Sequence, residues 1–276
     1  MDYPQDFMRQ FHLHLLSDST GETLDLLAKA ALAQFEDVEA VRHFWPLVRS
    51  DGHLDRVIDE IAALPGLVLY TLVSTHLRTR LETRCQALGV PLVAALDPVV
   101  FALSRVLGQA ARPRPGGQHV MDAAYFQRIE ALNYTLAHDD GQNAGGWDEA
   151  DLILLGVSRS SKTPTSIYLA NRGYKVANSP LVPGRPPDPR LAALRRPTIV
   201  GLTMAVDRLV QVRRARLLGA GAAMPMDYAD PNRVTEELAE SRRIFAARGW
   251  PVIDVTRRSI EETAAAIINL MQLGDE

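Results

Sequence analysis

Asp151-Leu-Ile-Leu-Leu-Gly156-Val-Ser-Arg159-Ser-Ser-Lys162-Thr163-Pro164 is the stretch from which the fold of this chain is read. A short apolar run ends in a glycine, a hydroxyl-rich loop follows, and a Lys-Thr pair opens a segment of helical spacing through Asn171. Strand, tight loop, helix is the context a phosphate-binding loop requires. Loop amides and the helix N-terminus direct unsatisfied N–H groups at an anion, and the helix dipole adds positive potential. Gly156, Val157, Ser158, Arg159, Ser160, Ser161, Lys162 and Thr163 are therefore the expected nucleotide-binding residues. Lys162 would bring a point charge to the phosphates and Thr163 a hydroxyl ligand for magnesium. Pro164 suits a first helical turn, where its missing N–H costs nothing. The usual pattern places glycine before the lysine, and Ser161 stands there instead. An ordinary serine-rich strand-to-helix turn is the competing reading of the same residues.

Lysine is rare in this chain. Only Lys29, Lys162 and Lys175 are lysines among 30 basic residues. An ammonium is a compact charge that fits among phosphate oxygens, where a guanidinium is planar and broad.

Working outward, apolar runs alternate with amphipathic stretches along nearly the whole chain. Strand-like segments are His12–Ser17, Ala40–Pro46, Leu67–Val73, Pro91–Leu96, Leu152–Leu155, Lys175–Asn178, Thr198–Leu202 and Val252–Val255. Helical patterns lie near 22–34, 53–63, 76–88, 121–138, 164–172, 206–218, 232–248 and 260–273. Such alternation predicts an α/β fold of mostly parallel sheet with flanking helices. Ser19 with Glu22 and Ser259 with Glu262 both have capping-box spacing. Asp139-Asp-Gly-Gln-Asn-Ala-Gly-Gly146 reads as a linker. The expected domains are thus 1–146, an N-terminal α/β domain, and 147–276, an α/β domain carrying the phosphate loop. No internal repeat is visible.

The first strand also runs into a hydroxyl-rich loop, Ser17-Asp18-Ser19-Thr20-Gly21. Ligands of α/β sheets gather at the carboxyl ends of strands. Asp18 is therefore a candidate general base, with helix capping as its bland alternative. Asp97, Asp207 and Asp254 each end an apolar run as a magnesium-orienting aspartate would, and the pattern singles out none of them. The seven histidines show no metal-ligand spacing.

The chain has 276 residues, 47% apolar and 23% charged, with net charge −3. That composition suits a globular protein and offers no electrostatic case for nucleic acid or an anionic membrane as partner. One cysteine, Cys85, can form no intramolecular disulfide. No run approaches the roughly 20 apolar residues that span a bilayer. A cytoplasmic location is expected.

Taken together, the two loops give the chain a family resemblance. It resembles the bacterial and plant pyruvate, phosphate dikinase regulatory proteins, relatives of the phosphoenolpyruvate synthase regulatory proteins. The resemblance covers almost the whole chain. It is carried by His14-Leu-Leu-Ser-Asp-Ser-Thr-Gly-Glu-Thr23, by Gly156-Val-Ser-Arg-Ser-Ser-Lys-Thr-Pro-Thr-Ser166 and by Tyr168-Leu-Ala-Asn-Arg-Gly173. Ala177-Asn-Ser-Pro-Leu-Val-Pro183 and Ser259-Ile-Glu-Glu-Thr263 complete it. Ser-Lys-Thr at 161–163 looks like the dikinase branch, whose members lack the second glycine.

The resemblance implies a bifunctional enzyme. It implies phosphorylation of a target threonine with ADP as donor, which inactivates the dikinase. It also implies transfer of that phosphate to inorganic phosphate, releasing pyrophosphate and restoring activity. Lys162 would be catalytic, magnesium would assist, and a homodimer is compatible with the reading. Two alternatives stay open: the same chemistry on phosphoenolpyruvate synthase, or a small-molecule P-loop kinase with 185–196 as its arginine-bearing lid.

Overall fold

The alternating pattern folds into two parallel four-stranded sheets. The structure is a computed structural model and describes residues 9–112, 114–117, 122–220 and 227–273. The chain divides into two compact units, Met1–Val120 and Met121–Glu276.

In the first unit the order is β1 (Arg9–Ser17), α1 (Glu22–Leu32), β2 (Val38–Trp45), α2 (Asp51–Ala63), β3 (Gly66–Thr71), α3 (Thr75–Ala87), β4 (Leu92–Ala94) and α4 (Asp97–Leu107). The second holds α5 (Ala123–Ala137), β5 (Leu152–Gly156), α6 (Lys162–Ala170), β6 (Val176–Pro180), β7 (Thr198–Thr203), α7 (Val206–Ala220), α8 (Pro231–Arg248), β8 (Val252–Asp254) and α9 (Ile260–Leu273). The sheets are wired alike, β2-β1-β3-β4 and β6-β5-β7-β8, with every pairing parallel. In each, the first strand is central and its successors go to opposite sides. The loop after that strand therefore emerges at a topological switch point, where open α/β sheets bind ligands. The sequence shows no repeat, yet the topology repeats.

Parallel strands covered on both faces read as continuous apolar runs, and β5 is buried at all its positions. Leu152, Leu154, Val200 and Leu202 face one side with Leu169, Leu238 and Ile267; Ile153 and Leu155 face the other with Trp147, Tyr134 and Phe245. This second cluster explains why the division falls at 120, before the 139–146 stretch at which the sequence suggested a boundary. Tyr134 and Trp147 flank that stretch and pack in one core with β5. The Thr135 hydroxyl also accepts from Val176 N at 3.1 Å. Residues 139–146 are thus a connection inside the second unit.

Two local expectations change. Ser259 and Glu262 do form the reciprocal capping box, at 2.8 and 3.1 Å. Ser19 does not cap α1: its N-cap is Gly21, at φ 79°, with no side-chain capping bond. Helix α4, absent from the sequence reading, begins at Asp97, whose carboxylate pairs with Arg78. It has no buried residue and exposes Phe101, Val106 and Leu107.

A histidine ladder lies across β1 and β2. Buried His14 donates Nε2–H to Leu64 O at 2.8 Å, accepts from Trp45 Nε1 at 3.4 Å and stacks on His43. These partners select the neutral imidazole. Burial lowers the His14 pKa below its ordinary 6.5; the Leu64 carbonyl opposes this, and His43 and His12 add to it. The unfolded chain then takes up the extra proton as pH falls, so His14 contributes a loss of stability that begins below about pH 6.5. Denaturant titrations from pH 7.5 to 5 are expected to show a weaker pH dependence in His14→Gln than in the parent. Identical slopes would assign acid sensitivity to other groups.

Candidate functional site

An anion cradle made of main chain must turn its N–H groups inward and satisfy its carbonyls elsewhere. In the loop after β5 four carbonyls are satisfied. Gly156 O accepts from Leu181 N at 3.0 Å, and Val157 O from Ser160 N at 3.3 Å and from Lys162 Nζ at 3.0 Å. Ser158 O accepts from Arg213 at 3.3 Å, and Ser161 O from Thr165 N at 3.1 Å. Arg159 and Ser161 take left-handed conformations, φ 71° and 64°. Ser161 is the N-cap of α6 and makes no side-chain capping bond. The position usually held by glycine thus keeps glycine's backbone conformation with a serine in it. Gly156 has a different requirement: a Cβ there would lie 2.7 Å from Leu202 O and 2.6 Å from Ser160 Oγ.

Lys162 is 6% exposed. Burial pushes its ammonium down to about 8; Asp140 and Asp139 pull the other way, while Arg159 and Arg213 add to the lowering. The two aspartates were missed by sequence reasoning. They sit in a single 3₁₀ turn, 139–141, packed beside β6. Asp139 Oδ1 accepts from Thr163 Oγ1 at 2.8 Å and from Asn178 Nδ2 at 2.6 Å. Asp140 N in turn donates to Asn178 Oδ1 at 3.2 Å. Asp140 itself is exposed at φ 54°, and its carboxylate has no hydrogen-bond partner among the described residues. The usable signal was a pair of carboxylates in a stretch whose glycines and single asparagine advertise only a turn.

The fit to magnesium can be judged from these atoms. Thr163 spends its proton on Asp139, so its oxygen keeps lone pairs for a cation. A hydroxyl, one or two carboxylates and phosphate oxygens form the hard donor set that magnesium takes. No cluster of three or more His, Cys, Asp or Glu side chains suited to a metal occurs among the described residues.

The first unit's loop is built differently. Asp18 is buried; its Oδ2 accepts from Val73 N at 2.7 Å and its carbonyl from Arg49 Nε at 2.6 Å. Ser17 Oγ accepts from Ser19 N and Thr71 Oγ1. Asp18 thereby ties the β1 loop to the β3 loop, on the wall of a cavity of about 410 Å³ that Arg78, Asp97 and Arg112 also line. Of the other candidate aspartates, Asp254 bonds Thr256 next to its own strand and Asp207 lies in the first turn of α7. Neither adjoins the phosphate loop by any bond in the described residues. Cys85 is buried and its thiol is pushed up to about 11 by desolvation.

The family model described as kinase/pyrophosphorylase matches residues 13–268. A protein of Rhizorhabdus wittichii is 65% identical over 264 residues, covering 96% of each chain. One from Sphingopyxis alaskensis is 63% identical, covering 96% of this chain and 98% of its own. One from Caulobacter vibrioides is 53% identical, covering 98% and 86%. All three carry the provisional name pyruvate, phosphate dikinase regulatory protein.

Two substitutions separate the roles of the loop's small residues. Gly156→Ala is expected to destabilise the protein by about 1–3 kcal/mol, because the methyl meets the β7 backbone. Ser161→Gly is expected to stabilise it by up to about 1 kcal/mol by relieving the left-handed serine. Urea denaturation checks both, and effects of the opposite sign would overturn the loop geometry.

Proposed function

Because the chain belongs to the kinase/pyrophosphorylase family, we propose that it regulates pyruvate, phosphate dikinase by moving a phosphoryl group on and off a threonine of that enzyme, with ADP as donor. The observation that carries this reading is the Lys162 ammonium, buried at a loop-to-helix junction on Val157 O, next to a Thr163 hydroxyl bonded to Asp139. In the inactivating direction the target hydroxyl attacks the β-phosphorus of ADP. Its P–O bond forms as the bond to AMP breaks, and the hydroxyl proton passes to a carboxylate. In the reactivating direction inorganic phosphate attacks the phosphothreonine, the threonine oxygen leaves and takes a proton, and pyrophosphate is released.

The loop amides and Lys162 would bind the diphosphate and balance charge as it shifts toward the leaving oxygen. Asp140, exposed and with a charge that acts on Lys162, is the carboxylate we assign to accept the proton. Asp18 has an anchoring bond to Val73 instead, which makes it the control for that assignment. Thr163 and Asp139 would hold magnesium, whose charge would neutralise phosphate oxygens.

The test uses purified protein, the dikinase, and ADP or ATP, with phosphothreonine read by mass spectrometry. Modification with ADP and none with ATP is expected. Phosphorylation of a metabolite instead would favour a small-molecule kinase, and modification of phosphoenolpyruvate synthase alone would reassign the target. Lys162→Ala should lower turnover by about a hundredfold or more and stay folded, since it removes a buried charge. Asp140→Asn should bind ADP and lose turnover, while Asp18→Asn should lose stability before activity. Full turnover in Asp140→Asn would exclude it as the base.

The lowered lysine pKa sets a pH dependence. Above about 8 the free protein loses the ammonium that ADP needs, whereas bound diphosphate favours the charged form. ADP affinity should therefore fall as pH rises beyond 8, by up to about tenfold per pH unit. Calorimetry from pH 7 to 9.5 checks this, and Lys162→Ala should lack the decline.

A further inference from the structure

We infer that Arg213 is a positioning residue of the phosphoryl-transfer site, holding the Ser158–Arg159 peptide so that its N–H faces the anion. The inference rests on the nucleotide reading of the loop and deepens it. Arg213 lies on α7 and is 1% exposed, a costly place for a guanidinium unless its bonds are specific. Its fork is divided among three residues. Nη2 reaches Glu237 Oε2 at 2.6 Å and Ser158 O at 3.3 Å; Nη1 reaches Tyr228 O at 2.9 Å and Glu237 Oε1 at 3.2 Å. Nε has no partner among the described residues.

Glu237 supplies the charge that makes burial tolerable, and the bond to Ser158 is the one that reaches the loop. In a trans peptide the C=O and the following N–H point in opposite directions. Drawing Ser158 O toward α7 therefore turns Arg159 N–H away from it, leaving that amide free to meet an anion. The left-handed φ of Arg159 is the backbone counterpart of that orientation. A second tie comes from Tyr228: its hydroxyl lies 3.0 Å from Ser158 Oγ, and its ring lies 4.6 Å from the Arg213 guanidinium carbon. Both polar ends of Ser158 are thus held, the carbonyl by buried Arg213 on α7 and the hydroxyl by Tyr228 just before α8.

Arg213→Lys tests this, because an ammonium can still pair with Glu237 but lacks the planar fork that also spans Ser158. The readouts are melting temperature, ADP affinity by calorimetry, and ADP-dependent protection of the Arg159 amide from hydrogen exchange. The variant is expected to be folded, to bind ADP about tenfold more weakly, and to lose the protection at Arg159 while keeping it at Thr163. A folded variant with parental affinity and parental protection overturns the inference, leaving Arg213 a strut. If Arg213→Lys does not fold, the double variant Arg213→Met with Glu237→Leu replaces the ion pair with apolar volume and is read in the same way. Failure of ADP to protect residues 156–163 in the parent protein is a different result: it removes the nucleotide reading and this inference with it.

Discussion

Satisfying its carbonyls is the constraint on which the loop after β5 depends. Peptide N–H groups converge on an anion only if their carbonyl partners are satisfied at the back of the loop. Here the β6 connection takes Gly156 O, Arg213 takes Ser158 O, and the first turn of α6 takes Ser161 O. Val157 O is held by Lys162 itself. The lysine that would meet phosphate is therefore also part of the loop's own bonding, and its burial lowers the cost of the exchange. A desolvated ammonium with one neutral acceptor gains more from a diphosphate than a hydrated one does.

The fold makes such a loop possible by placing it at the end of a buried central strand. A strand covered on both faces fixes the position of Gly156 tightly, and the Leu202 carbonyl behind it leaves no room for a side chain. The first unit repeats the wiring but spends its loop on different bonds. Asp18 and Ser17 join β1 to β3, and α1 starts from Gly21 without a side-chain cap. Identical topology thus supports unlike local chemistry, because the switch point sets only where a loop emerges. The residues on it decide what it holds.

Much of this was legible in advance. The eight strands, the parallel α/β class and most helices follow from apolar runs and their spacing, because burial on two faces leaves a continuous signature. Helix α4 escaped because its apolar run follows directly on the strand-like Pro91–Leu96; in the structure it has no buried residue. The capping role expected of Ser19 failed for a similar local reason. Gly21, two residues on, takes the left-handed turn and the cap position with it.

Residues adjacent in the chain carry the sheet class and the strand, loop and helix order from Leu152 through Lys162. It is packing that bonds Asp139 to Thr163, brings Arg213 to Ser158 O, and makes 139–146 internal to the second unit. Those pairings join residues 24 and 55 positions apart. Asp-Asp-Gly carries the composition of a linker, and an arginine in a helix carries that of a solvated face. What sets them apart is the burial and hydrogen bonding that appear when the strands between them are packed, and local composition does not encode these.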